Sequence, residues 1–165
     1  MKIKNLVLAI LDAAAAALLL GLLFLTAVDV GARYLFNRPI VGANELTEYG
    51  LAILVFISLP LITYARKHIA VDILDSVTPP WLMRVQEIVS GILGSVVFIG
   101  LAWRLNVLAG RAAGYGEASP QLGIPLASVL YTLMGLAVVA ALAFLVTAVE
   151  AVIAKKPDRH QGDII

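Results

Sequence analysis

The sequence predicts an all-α membrane protein: four transmembrane helices arranged as two helical hairpins. Composition is the first observation. Of 165 residues, 61% are hydrophobic and only 14% are charged, and the mean hydropathy is +0.97. Ordinary soluble domains carry about 25% charged residues, so this chain has too few charges to cover its apolar surface in water. Lipid is its natural solvent. The second observation is punctuation. The longest uncharged runs are residues 13–28, 49–65, 88–103 and 118–149. The third is the placement of Lys and Arg. With four spans, Lys2, Lys4, Arg66, Lys67, Arg84, Lys155, Lys156 and Arg159 fall on one side, and Arg33, Arg38, Arg104 and Arg111 on the other. That bias puts both termini in the cytoplasm. Residues 1–154 form a single four-helix transmembrane domain, and 155–165 a polar cytoplasmic tail.

Helix 1 is expected over 5–36. Lys2 and Lys4 followed by alanine-rich apolar sequence is also how a signal peptide begins. Signal h-regions span about 7–15 residues, and this run continues well past that, so it reads as a retained helix. Asn37 suits the helix end, Pro39 blocks simple continuation, and Gly42 permits a tight turn. Helix 2 is expected over 44–65. Asn44 is a good N-cap, and Glu45 and Glu48 complement the positive end of the helix dipole. Pro60 is expected to kink this helix near its far end. Helix 3 is expected over 80–109. Pro79–Pro80 open it, where proline is tolerated, and Trp81 and Trp103 lie near its two ends as an aromatic belt would place them. Helix 4 is expected over 124–154. A 16-residue run reaches only ~24 Å, against a hydrocarbon core of about 30 Å. The bounding charges therefore sit at or just inside the headgroup edge, where long basic side chains snorkel outward.

Small residues at four-residue spacing, Ala17 with Gly21 and Gly91 with Ser95 (Gly94 beside them), are suited to close helix contact. Glycine and alanine are also simply common in membrane helices. "PIVG" at 39–42 precedes helix 2, and "PQLG" at 120–123 precedes helix 4, a short internal echo.

The chemistry available is sparse. There is no cysteine, which excludes disulfides, thiolate metal sites and cysteine nucleophiles. His68 lies in a loop and His160 in the tail, so neither supplies an intramembrane haem ligand. No metal-ligand spacing, GxSxG or phosphate loop occurs. The sequence gives no support for an enzyme and implies no cofactor. A net charge of +1 gives no basic field for nucleic acid. Asp12, Asp29, Glu45, Glu48, Glu87, Arg104 and Glu150 mostly fall within two turns of a helix end. Headgroup contact or dipole compensation is their plainer reading. No helix has the mid-span break that builds transporter sites. The chain reads as a membrane protein without a transport site of its own. The alternative is an autonomous small channel or transporter, acting as a homo-oligomer with Asp29, Glu45 or Arg104 lining its pore. A redox carrier is a third class, disfavoured by the absence of intrahelical histidine.

Three connections carry the polar residues. In "RYLFNRPIVGANELTEYG", residues 33–50, Glu45, Glu48 and Tyr49 share one helix face. Contact with another protein and simple capping both explain that face. "RKHIAVDILDSVTPPWLMR" mixes basic residues with alternating apolar ones, which suits an interfacial segment touching lipid headgroups. "GRAAGYGEASPQLGIP" reads as a flexible linker or a docking surface, with Pro120 and Pro125 setting turns.

These connections resemble the small membrane subunit of tripartite ATP-independent periplasmic transporters, the DctQ type. "RYLFNRPIVGANEL" is similar to the family's segment after the first helix and carries Arg33, Tyr34, Phe36, Asn37, Pro39, Glu45 and Leu46, with Tyr49 following. "RKHIAVD" is similar to the segment after the second helix and carries His68, Val71 and Asp72. "SPQLGIPLASVLY" is similar to the approach to the fourth and carries Pro120, Gly123 and Pro125. The sequence departs from the family pattern at Gly42, where many members have Trp, and near Glu48, where Arg is frequent. The resemblance implies a division of labour. A large permease subunit would hold the substrate and ion sites, and a periplasmic solute-binding protein would deliver a small solute, often an organic acid. Uptake would be driven by an ion gradient. The chain itself would be a scaffold in the bacterial inner membrane, its motif residues setting shape and partner contact.

Overall fold

The computed structural model describes residues 2–64 and 80–153. His68, Val71, Asp72 and the 155–165 tail lie outside the described residues, as does the side chain of Trp81. Four helices follow in order: α1 (Lys2–Phe36), α2 (Ala43–Tyr64), α3 (Pro80–Tyr115) and α4 (Leu126–Ile153). All four are long and apolar enough to cross a membrane. The pairs α1–α2 and α3–α4 form two hairpins. They meet through α2 and α4, so the helices stand in the spatial order α1, α2, α4, α3. The 37–42 and 116–125 connections lie together at one end of the bundle, called here the loop end.

The α3–α4 hairpin is the tightest unit because small residues line it. A Cβ on Gly91 would come within 2.7 Å of the Ala148 Cβ and 3.0 Å of the Phe144 carbonyl oxygen. One on Gly94 would come within 2.4 Å of the Phe144 ring. Ser95 is buried beside them. Phe98 stacks on Phe144 with ring centroids 5.5 Å apart and planes 15° from parallel. Ala102, Ala109 and Ala112 continue this buried stripe, recurring at helical spacing on one face of α3. At the far end, the Arg84 guanidinium donates to the Ala151 and Val152 carbonyls at 2.8 and 2.9 Å. A cation there satisfies carbonyls that the last turn of α4 leaves unpaired and complements its dipole.

The small-residue expectation for helix 3 therefore describes a contact. For helix 1 it does not: Ala17 is exposed and a Cβ on Gly21 would meet nothing within 4 Å. Boundaries also move: α1 begins at Lys2 and not 5, and α4 at Leu126 and not 124. α3 runs six residues past 109 to Tyr115, because continuing the helix buries Ala109 and Ala112 against α4. That packing outweighs the glycines at 110 and 114. α2 begins at Ala43, so Asn44 is not its N-cap. The Gly42 carbonyl accepts the first helical bond, from Leu46 N–H at 3.0 Å. α2 continues through Pro60, whose side chain is fully buried. The Ser58 and Thr63 hydroxyls donate to carbonyls four residues back.

Candidate functional site

The loop end is where polar side chains converge. α1 ends at Phe36, and Asn37 takes the left-handed conformation with φ 52°, as a short polar side chain tolerates. Arg38 N–H then reaches back to the Ala32 carbonyl at 3.3 Å. The chain is pulled down onto α1 by Asp29. One carboxylate oxygen accepts the Ile40 N–H at 2.8 Å, and the other accepts from the Arg33 guanidinium at 2.8 Å. Asp29 is buried while Arg33 remains half in solvent. The pair lies at i, i+4, a spacing that favours such contact on a helix. A buried carboxylate is tolerable here because both oxygens are satisfied, one by a charged donor.

Across from it, residues 117–126 fold into a small closed loop. Ser119 N–H donates to the Ile124 carbonyl at 2.9 Å, and Leu126 N–H to the Glu117 carbonyl at 2.9 Å. Ala118 and Pro125 form an antiparallel bridge, and Gly123 turns the chain at φ 65°. The Pro125 carbonyl accepts from the Ser128 hydroxyl at 2.6 Å at the start of α4. The tip of this loop presents two consecutive amides outward. Glu45 takes both: Gln121 N–H donates to Oε1 at 2.8 Å and Leu122 N–H to Oε2 at 3.0 Å. Successive amides of this kind form a small anion cradle, here filled by the chain's own glutamate.

The clasp is reciprocal. Gln121 sends its side-chain oxygen back to accept the Gly42 N–H at 2.7 Å. Gly42 needs the left-handed φ of 80°, and a Cβ there would fall 2.4–2.8 Å from the Leu122 side chain. The two short motifs that echo each other, "PIVG" and "PQLG", are thus the two halves of one contact. The departure at Gly42 also acquires a local reason, since Leu122 occupies the space a larger residue would need.

The predicted residues divide accordingly. Arg33, Glu45, Pro120, Gly123 and Pro125 take part in the two connections, with Asn37 and Pro39 in the turn that Asp29 holds. Tyr34 (83% exposed) and Phe36 (73%) stand out from the end of α1, and Leu46 is exposed on α2. Glu48 is exposed and Tyr49 half-buried, so the shared face splits: Glu45 is engaged within the chain and its neighbours are not. Asp29, Ser119, Gln121 and Leu122 were not among the predicted site residues. The Asp29–Arg33 spacing could have found the first. Nothing local in the sequence announces that Gln121 and Leu122 meet Gly42 and Glu45.

Two of the three charges considered for a pore are engaged within the chain. Asp29 holds the 37–42 turn, Glu45 holds the 117–126 loop, and Arg104 is exposed on α3. Among the described residues, no three His, Asp or Glu side chains gather as metal ligands would. Residues 22–154 match the family described as "Tripartite ATP-independent periplasmic transporters, DctQ component". The chain belongs to this family. As a DctQ component it is the small membrane component of such a transporter, and its four spans are those of a multi-pass membrane protein. The match takes in both clasp motifs and all of α2, α3 and α4. No curated protein matches the chain, and no solved structure does.

Proposed function

We propose that this DctQ component is a static scaffold for the large permease subunit of its transporter, in ion-gradient-driven uptake of a small solute, an organic acid by chemical class, delivered by a periplasmic binding protein. Family membership over residues 22–154 carries the reading. The geometry supports it. At the loop end, Asp29 with Arg33 and Glu45 with Gln121 bond to groups of the chain itself. They hold the two hairpins in one relative position, which is what a scaffold requires.

In this reading the loop end faces the periplasm, both termini lie in the cytoplasm, and the bilayer is the bacterial inner membrane. The exposed Tyr34, Phe36 and Trp103 suit the headgroup zone on the loop-end side, where amphipathic aromatic rings settle. His68, Val71 and Asp72 belong to the opposite, cytoplasmic connection. Partner contact is made laterally, through apolar helix faces, with membrane lipids filling the remainder.

The test is co-purification. The tagged full chain, expressed with the large permease subunit of its transporter, is expected to retain that permease through detergent extraction. Recovery of a stable, partner-free monomer under those conditions would count against the scaffold reading.

A further inference from the structure

We draw no further inference here: the strongest candidate, the exposed surface patch of Tyr34, Leu35 and Phe36 at the end of α1 with Val41 in the turn beyond, carries none, because nothing in the structure shows what covers it.

Discussion

Gly42→Ala separates the two demands that the clasp makes on residue 42. The first is backbone. Gly42 sits at φ 80°, where an L-residue costs about 1–2 kcal/mol. The second is space. The added Cβ would lie 2.4, 2.5 and 2.8 Å from the Leu122 Cγ, Cδ2 and Cδ1, far inside the ~3.5–4.0 Å separation of carbon atoms in contact. Overpacking of this kind costs about 1–3 kcal/mol. Leu122 is 39% exposed, so it can swing outward, but its amide is one of the two that hold Glu45. The expected total is a destabilisation of ~2–5 kcal/mol. Adding Leu122→Ala removes the collision and leaves the backbone cost, so the double mutant should recover ~1–3 kcal/mol relative to additivity. The assay is unfolding of the purified chain in mixed micelles of mild detergent and SDS, followed by far-ultraviolet circular dichroism. A Gly42→Ala variant within 0.5 kcal/mol of wild type, or a coupling of zero, would refute the reasoning.

Gly91→Ala should loosen the α3–α4 hairpin by about 1–3 kcal/mol through collision with Ala148 and the Phe144 carbonyl. Gly21→Ala, on the bare side of α1, should stay within ~0.5 kcal/mol in the same unfolding assay. Asp29→Ala leaves the Ile40 amide and the Arg33 guanidinium without their acceptor, and is expected to cost about 1–3 kcal/mol. Hydrogen exchange at Ile40 should accelerate with it. Glu45→Gln keeps the shape but weakens the bonds to two amides. The distance distribution between spin labels on the 37–42 and 117–126 loops should broaden, while labels within either hairpin should not.

Much of the fold was legible because lipid imposes a simple grammar. Backbone polar groups must be satisfied within each span, so long apolar runs become helices, and Asn37 and Pro39 marked the end of α1 closely. Helix 3 was read six residues short. Gly110 and Gly114 looked like loop residues, and only burial of Ala109 and Ala112 against α4 explains why the helix continues. The small-residue pairs had equal standing in sequence, yet Gly91 and Ser95 pack whereas Ala17 and Gly21 do not, because spacing carries no record of which neighbour is present. At the loop end, Glu45 was read as capping α2 or touching another protein; it binds the 117–126 loop of its own chain. Its partners were not legible, since Gln121 and Leu122 are distant in sequence and contribute backbone amides, which no residue type signals. The echo between residues 39–42 and 120–123 was the one trace of that pairing.

The central claim is that this DctQ component supports transport without performing it. Solute uptake into proteoliposomes tests that most directly, with the chain reconstituted alone and then with the large permease and the periplasmic binding protein under an imposed ion gradient. Uptake is predicted only for the three components together, with the chain alone no faster than empty vesicles. Gradient-driven uptake by the chain alone would contradict the account.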